Sequence, residues 1–392
     1  MVFPERFSNL PEYAFPRLRA LLDVHPGGAE PLNLTIGEPQ HDFPPWMSDI
    51  ITQHADEFRK YPPNAGTPEL LQSISGWVQR RYGVGLNADQ ITTVNGTREG
   101  LYNAAMALCP EHKGGAQPVV LTPNPFYQVY AVAALSVGAA PVYVAATAEN
   151  GFLPDFASLP ADILNRTTIA YICSPSNPQG AVASRAYWQN LLALAEQYDF
   201  QIFADECYSE IYRDQPPVGA LQVARETGAD PERVLVFHSL SKRSNLPGLR
   251  SGFVAGGGES IARIRQLRDF AGAPLPLPLQ RVAEKVWADE AHVVQSRALY
   301  CEKFDMADQI LGDVPGYVSP QAGFFLWLPV EEGEAAALKL WRETGVRVLP
   351  GAYLSRDVNG ENPGRGYVRV AMVAPKQQMQ HGLMRLKSCL YA

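Results

Sequence analysis

Between residues 90 and 240 the chain repeats one pattern, in which a short apolar run is followed by a polar loop and then by apolar residues at helical spacing. The apolar runs fall at residues 91–94, 119–121, 169–172, 201–204 and 234–237. Strands that alternate with helices in this way predict a mostly parallel sheet covered by helices on both faces. Open sheets of this kind bind ligands at the carboxyl edge of their strands, where these polar loops should lie.

The two ends of the chain have different patterns. Residues 1–35 are rich in proline and have one short helical pattern, so they predict an N-terminal arm that packs against another part of the chain. The stretch 272–278 contains three prolines and no helical pattern, which is typical of a hinge. Beyond it, helices and strands are predicted at residues 302–311, 324–328, 335–342, 346–349 and 368–373.

These patterns predict a fold of the α/β class with two domains. We expect a large domain at residues 36–272 and a smaller α+β domain at residues 273–392, with the arm at residues 1–35 packing on the small domain.

Composition narrows the class of protein. The chain has 392 residues, of which 46% are apolar and 19% charged, as in globular enzymes. The net charge of −7 argues against a nucleic-acid or anionic-membrane partner. The five cysteines show neither metal-ligand nor disulfide spacing, which favours a reducing compartment and no metal site. Residues 1–6 do not resemble a signal peptide and no apolar stretch is long enough to span a membrane, so we expect a cytoplasmic protein.

The candidate chemistry centres on Lys242, in the loop that follows the apolar run 234–237. A lysine amine forms a Schiff base with a carbonyl, and neighbouring cations such as Arg243 and Arg250 would lower its pKa. The same arginines, with Ser239 and Ser241, have the donors that hold a phosphate. The alternative is a basic surface loop with flexible serines.

Other polar groups are predicted at the same edge. Residues 95–100 place Gly96 at the start of a helix, where backbone N–H groups bind anions, although the Walker and dinucleotide spacings are absent. The loop 123–130 brings aromatic rings, which are more commonly core residues. Asp205 ends an apolar strand, where a carboxylate needs a cation or donor, or else caps a helix. Arg369 lies between valines, so it faces either solvent or a cleft that receives a carboxylate.

Together these groups supply the parts of a pyridoxal phosphate site: a lysine for a Schiff base, a carboxylate for the ring nitrogen, an anion site, an aromatic ring and an arginine for the substrate carboxylate. Their order and spacing resemble those of the fold-type I aminotransferases, classes I and II, over nearly the full chain. The resemblance rests on Asn177-Pro178, residues 205–208, residues 239–242 with Arg250, and Arg369.

The resemblance implies a seven-stranded, mostly parallel sheet in the large domain, a homodimer and a role for each matched residue. Lys242 would bind pyridoxal phosphate covalently, Asp205 would pair with its ring nitrogen, and Tyr127 would stack on its ring. Asn177 and Tyr208 would hydrogen-bond its phenolic oxygen. The phosphate would be held by Ser239, Ser241, Arg250 and the amides of Gly96, Thr97 and Arg98, with Tyr61 reaching in from a partner subunit. Arg369 would bind the substrate α-carboxylate, with Gly37 beside it.

Within that family the chain resembles the bacterial N-succinyl-L,L-diaminopimelate aminotransferases of lysine biosynthesis. The similarity lies in residues 95–100, 123–130, 205–212, 239–253 and 349–356. It implies exchange of an amino group between N-succinyl-L,L-diaminopimelate and 2-oxoglutarate or glutamate, in two half-reactions. The extra prolines at 274–279 depart from that pattern. This departure concerns the prediction of the substrate more than that of the cofactor.

Three alternatives stay open. One is a general aspartate- or alanine-type aminotransferase, and a second is a lyase of the same fold with the same cofactor. A non-catalytic regulator domain is disfavoured because the chain has no basic helix-turn-helix extension.

Overall fold

The computed structural model describes residues 5–8, 10 and 12–392. The parts of the predicted arm at residues 1–4, 9 and 11, and with them most of the segment compared with a signal peptide, lie outside the described residues.

A seven-stranded sheet forms the centre of the larger part of the chain, as predicted. Its strands are β2 (Ile91–Val94), β3 (Val119–Asn124), β4 (Ala140–Ala145), β5 (Thr167–Cys173), β6 (Gln201–Asp205), β7 (Val234–Ser239) and β8 (Gly252–Ala255). They lie in the order β2-β8-β7-β6-β5-β3-β4. Only β8 runs against its neighbours, β2 and β7; the other pairs are parallel.

Helices cover both faces of this sheet. They are α3 (Pro68–Tyr82), α4 (Thr97–Leu108), α5 (Gln128–Ser136), α6 (Ala161–Arg166), α7 (Arg185–Tyr198), α8 (Ala220–Thr227), α9 (Leu240–Arg243), α10 (Gly258–Ala271) and α11 (Leu277–Ala288). Successive residues of β5 enter different cores: Ile169 and Tyr171 pack with α4 and α5, whereas Ala170 and Ile172 pack with α3 and α7. Apolar side chains on both faces explain why these strands read as continuous apolar runs.

The C-terminal part contains helices packed on a small antiparallel sheet. Its elements are α12 (Ala291–Leu311), β9 (Phe325–Pro329), α13 (Gly333–Thr344), β10 (Val346–Arg347), β11 (Leu349–Pro350), β12 (Tyr367–Ala371) and α14 (Lys376–Leu390). Strand β12 lies between β11 and β9, and Arg369 is paired in register with Trp327.

The N-terminal segment contacts this C-terminal part. Helix α1 (Ala14–Leu22) packs in a small core with Trp341, Leu349 and Tyr353. Strand β1 (Leu32–Asn33) pairs in parallel with β10, and α2 (Met47–Gln53) follows.

Three predicted elements differ from the structure. The strand predicted at 346–349 is two short strands in different sheets. Helix α12 begins at Ala291, far before the predicted residue 302. The proline-rich stretch 272–278 runs into α11, because Pro278 lies in the first turn, where its missing N–H costs nothing.

The predicted domain boundaries stay predictions. Helix α11 lies beyond the expected boundary at residue 272, but Val282 and Trp287 share a core with α3. Among the described residues, no helix is long and apolar enough to cross a membrane.

Candidate active site

The polar groups that follow β5, β6 and β7 meet in one cavity of about 330 Å³ at the carboxyl edge of the sheet. The predicted site residues that line it are Gly37, Thr97, Arg98, Tyr127, Asn177, Asp205, Tyr208, Lys242 and Arg369. The three strands are neighbours in the sheet, so their ends are brought together by backbone pairing. This explains how residues far apart in sequence share one site.

Lys242 lies in the short helix α9 and its Nζ donates a hydrogen bond to the backbone oxygen of Gly37 at 2.5 Å. Burial lowers the pKa of this amine, and the charges of Arg369 and Arg250 lower it further. A lowered pKa increases the unprotonated fraction, which is the nucleophilic and basic form.

Arg243 is not one of the cations beside Lys242, contrary to the prediction. One residue along a helix turns the side chain by about 100°. The Arg243 guanidinium is therefore buried against Trp77 and Trp287, where it bonds to the backbone oxygen of Val286 and to Glu290. Its role is to join α9 to α11.

Asp205, the last residue of β6, is buried. Its Oδ2 accepts a hydrogen bond from the Tyr130 hydroxyl at 2.9 Å, and its Oδ1 accepts a long one from the backbone N–H of Cys207 at 3.4 Å. Burial raises the pKa of this carboxyl, while these two bonds act in the opposite direction. The residues directly after Asp205 form a turn and not a helix, so the alternative role as a helix cap is wrong.

Arg369 faces the cavity and is buried, so the solvent-facing alternative is wrong. Its guanidinium donates to Asn177 Oδ1 at 3.0 Å and to the backbone oxygen of Thr35 at 2.8 Å, and lies over the ring of Phe325. Burial lowers its pKa to about 10. Within the described residues its Nε has no hydrogen-bond partner and it forms no ion pair with a carboxylate, which leaves room for a carboxylate ligand.

Asn177 connects this arginine to Tyr208. Its Oδ1 accepts from Arg369, and its Nδ2 is 3.3 Å from the Tyr208 hydroxyl. Burial raises the pKa of Tyr208 well above its usual value, so the hydroxyl keeps its proton and can donate a hydrogen bond.

A second group of predicted residues meets at the N-terminus of α4, outside the lining of the cavity. Ser239 Oγ donates to Ser241 Oγ at 2.9 Å, and Arg250 donates to the backbone oxygen of Asn95 at 2.8 Å. Gly96 has φ = +87°, and a Cβ there would lie 2.5 Å from Arg250 Nη2. Backbone N–H groups at a helix start, two hydroxyls and a guanidinium suit a phosphate.

The residues therefore fit pyridoxal phosphate. The cavity offers a lysine amine for its aldehyde, a buried carboxylate for its ring nitrogen and the Tyr127 ring for stacking, next to a group that suits its phosphate. Tyr61 is the exception, because it is fully exposed on the single chain and does not line the cavity.

Sequence reasoning missed Tyr130 as a partner of Asp205. The signal was present, since Tyr130 follows Tyr127 by three residues in the same motif; Tyr127 directly precedes α5, Tyr130 lies in its first turn, and the two ring centroids are 5.8 Å apart. It also missed the backbone oxygen of Thr35, which no side-chain pattern shows. A third contact that the sequence did not predict is made by the side chain of Arg98, whose Nε donates to the Tyr127 hydroxyl at 2.5 Å.

The chain matches one protein family over most of its length. Residues 29–386 match the family "Aminotransferase class I and II". The chain is 31% identical to an LL-diaminopimelate aminotransferase of Dehalococcoides mccartyi, covering 98% of each chain, and 32% identical to one of Desulforudis audaxviator, covering 98% of this chain and 97% of that one.

Solved structures show the same fold. An aminotransferase from Neisseria meningitidis superimposes with a TM-score of 0.93 at 39% identity, covering 98% of each chain. The aminotransferase AspB from Helicobacter pylori gives 0.90 at 32% identity, covering 99% of each chain. With the lysine, carboxylate and anion site in place, these matches identify the chain as a member of the class I and II aminotransferases, the fold-type I family whose cofactor is pyridoxal phosphate.

Proposed function

We propose that this aminotransferase moves an amino group between N-succinyl-L,L-diaminopimelate and 2-oxoglutarate or glutamate, in lysine biosynthesis. Two relatives are named LL-diaminopimelate aminotransferases, which supports a diaminopimelate substrate. The sequence similarity described above favours the N-succinyl form.

The observation that carries the choice between the two forms is the charge of the cavity lining. Apart from Asp205 and Lys242, the charged side chains among its described lining residues are two arginines, Arg98 and Arg369. Glu38, which follows Gly37, is near enough for its charge to raise the pKa of Lys242, but its side chain is exposed and outside that lining. The distal end of N-succinyl-diaminopimelate bears carboxylates and no free ammonium. Free LL-diaminopimelate bears a distal ammonium beside its distal carboxylate. Arginines suit the carboxylates of both, so the choice rests on the ammonium, which needs an acidic partner.

Three residues of the chain have separate roles in the proposed reaction. Pyridoxal phosphate, when bound, supplies a carbonyl for the amino group and an electron-withdrawing ring. Arg369 binds the substrate α-carboxylate, and Asp205 favours a proton on the ring nitrogen. Lys242, with its lowered pKa, is the base that takes the proton from the substrate α-carbon.

We also propose that the protein acts as a homodimer in the cytoplasm. Tyr61, Phe58 and Phe270 are strongly exposed aromatic residues of the single chain. A partner subunit would cover such residues, and Tyr61 would then serve the partner's active site. Mixing inactive Tyr61→Ala and Lys242→Ala subunits should restore activity through hybrid dimers. No recovery after confirmed subunit exchange would contradict the shared site.

The substrate is tested by comparing kcat/KM for N-succinyl-L,L-diaminopimelate, LL-diaminopimelate, aspartate and alanine with 2-oxoglutarate as acceptor. We expect the N-succinyl compound to exceed aspartate and alanine by a factor of about 10³ or more, because a site built for a polar group rejects analogues that lack it. A preference for free LL-diaminopimelate would select that substrate instead. Equal efficiency with aspartate would indicate a general aminotransferase, and products without amino exchange would indicate a lyase.

The variant Arg98→Met sharpens this test. If Arg98 binds the distal carboxylate, kcat/KM for the N-succinyl compound should fall by about tenfold or more, whereas kcat/KM for alanine should fall much less. Equal losses with both substrates would show that Arg98 acts on the cofactor site.

A further inference from the structure

The segment of residues 34–42, between β1 and α2, supplies two backbone acceptors to the active site. The oxygen of Thr35 accepts from Arg369, and the oxygen of Gly37 accepts from Lys242. The segment has no helix or strand of its own beyond Asn33. Its position must therefore be set by contacts with other parts of the chain.

Lys303 makes one of these contacts from helix α12. Its side chain is 2% exposed, and its Nζ donates to His41 Nε2 at 2.8 Å and to the backbone oxygens of Met372 and Val373 at 3.1 and 3.2 Å. Three acceptors use all three protons of the ammonium. The described residues give it no carboxylate partner, so the charge is stabilised by these acceptors and by the Tyr300 ring, whose centroid lies 5.2 Å from Nζ.

The three acceptors of Lys303 lie on the two pieces of chain that form the carboxylate site. Met372 and Val373 directly follow β12, the strand that carries Arg369, and His41 lies on the segment 34–42. A backbone bond from Ala371 to Leu34, 2.7 Å long, joins the same two pieces at another point. Lys303 thus connects the strand of the arginine to the segment that supplies its acceptor.

His41 extends this connection to the loop of the catalytic lysine. Because the Lys303 ammonium can only donate, His41 Nε2 accepts, and its Nδ1 carries the proton and faces Ser296 Oγ at 3.5 Å. Ser296 Oγ lies 3.2 Å from the Nδ2 of Asn245, whose side chain also donates to the backbone oxygen of Asp42. Asn245 follows Lys242 by three residues.

We propose that Lys303 and His41 are positioning residues for the substrate: they fix the segment 34–42 against β12 and the Lys242 loop, and so set the geometry of Arg369 and Lys242. The inference rests on the aminotransferase reaction and goes beyond the choice of substrate. It applies to any amino donor whose α-carboxylate binds Arg369.

The variants His41→Phe and Lys303→Met test this in the holoenzyme, with the amino donor that the wild-type protein turns over fastest. Phenylalanine keeps a ring against Tyr300, which lies 4.5 Å from the His41 ring, but removes the Lys303 acceptor. We expect KM for the donor to rise by about tenfold to a hundredfold, since small displacements of binding groups have effects of this size. The absorbance of bound cofactor should not change.

Lys113→Met is the matched control. Lys113 Nζ also donates to three backbone oxygens, those of Thr167, Tyr198 and Asp199, but it does not line the cavity. It should lower the melting temperature and leave KM unchanged. His41→Gln, whose amide both accepts and donates, should restore most of the wild-type KM.

Hydrogen exchange gives a readout that does not depend on the substrate. Amides of residues 34–42 should exchange faster in His41→Phe and Lys303→Met than in the wild type or Lys113→Met. Unchanged exchange together with unchanged KM in a folded His41→Phe variant would overturn the inference. If N-succinyl-L,L-diaminopimelate proves not to be the substrate, these outcomes stay the same, so the two failures can be told apart.

Discussion

The candidate active site is built by two regions that are held in place by different means. Asn177, Asp205 and Lys242 follow the ends of adjacent strands of the large sheet, so backbone pairing sets their positions. The proposed substrate-carboxylate region combines Arg369 of β12 with the irregular segment 34–42. Side chains such as Lys303 and His41, which are 262 residues apart and hydrogen-bonded to each other, connect its parts. Removing a side chain from the first region should therefore lower turnover directly. Removing one from the second should displace the substrate-binding groups.

The largest effect is expected at Lys242. Lys242→Ala should lower turnover by about 10⁴-fold, the upper range for loss of a proton-transfer group, without a large loss of stability because the sheet edge stays in place. Borohydride reduction of the wild-type holoenzyme and peptide mapping should place the cofactor on Lys242. An adduct on Lys285 or Lys303 would contradict the assignment of the site. It would also remove the basis for comparing its two regions.

Asp205→Asn should cause the second-largest loss of turnover. We expect cofactor to bind but turnover to fall by about 10²- to 10³-fold, because an amide has no charge to favour a protonated ring nitrogen. Absorbance of the bound cofactor and steady-state rates measure the two effects separately. Near-normal turnover would make the carboxylate a structural group.

Tyr130→Phe should have a smaller effect of about tenfold on kcat, because it removes one hydrogen bond to a charged group. Without this donor the pKa of Asp205 should rise further, so activity should be lost at a higher pH as the pH is lowered. Tyr171→Phe is the control, since Tyr171 stacks on Tyr130 but donates to the backbone oxygen of Leu101. Identical pH profiles for the two variants would rule out the role of Tyr130.

The two regions also differ in how far the sequence predicts them. Each end of β5, β6 and β7 determines where the loop after it lies, so the candidate residues there fall in short contiguous motifs. Asp205 and Lys242 could therefore be predicted from the sequence. Arg369 could be named but not its orientation. Lys303 and His41 gave no signal, since a lysine within a helix is normally exposed and its partners are distant in sequence.

Arg243 shows the same limit within a motif. It follows Lys242 directly, yet helix geometry turns it into the core against Trp77 and Trp287. Adjacency in sequence predicts proximity of the backbone but not of the side-chain ends.

The smallest expected effect is the contribution of Lys303, in the second region, to the pH dependence of the free energy of unfolding. Burial lowers the pKa of Lys303 from 10.5 to about 8, so between these values the unfolded state binds more protons than the folded state. The free energy of unfolding should therefore gain a positive contribution as pH rises from 8 to 10.5, of roughly 1–3 kcal/mol. Denaturant titrations of the wild type and Lys303→Met should differ in slope over this window. The same slope in both would show that Lys303 has an ordinary pKa.

The pairing of Arg369 with Trp327 has a practical consequence. Residues directly opposite on antiparallel strands share a face of the sheet, so this indole lies beside the arginine that we propose binds the carboxylate. Trp327 is 6% exposed and stacks on Tyr367. Its fluorescence should respond when a carboxylate binds, and subtracting the spectrum of Trp327→Phe would separate this signal from that of the other tryptophans. If the response is observed, Trp327 would report substrate binding optically, with neither turnover nor a coupled assay.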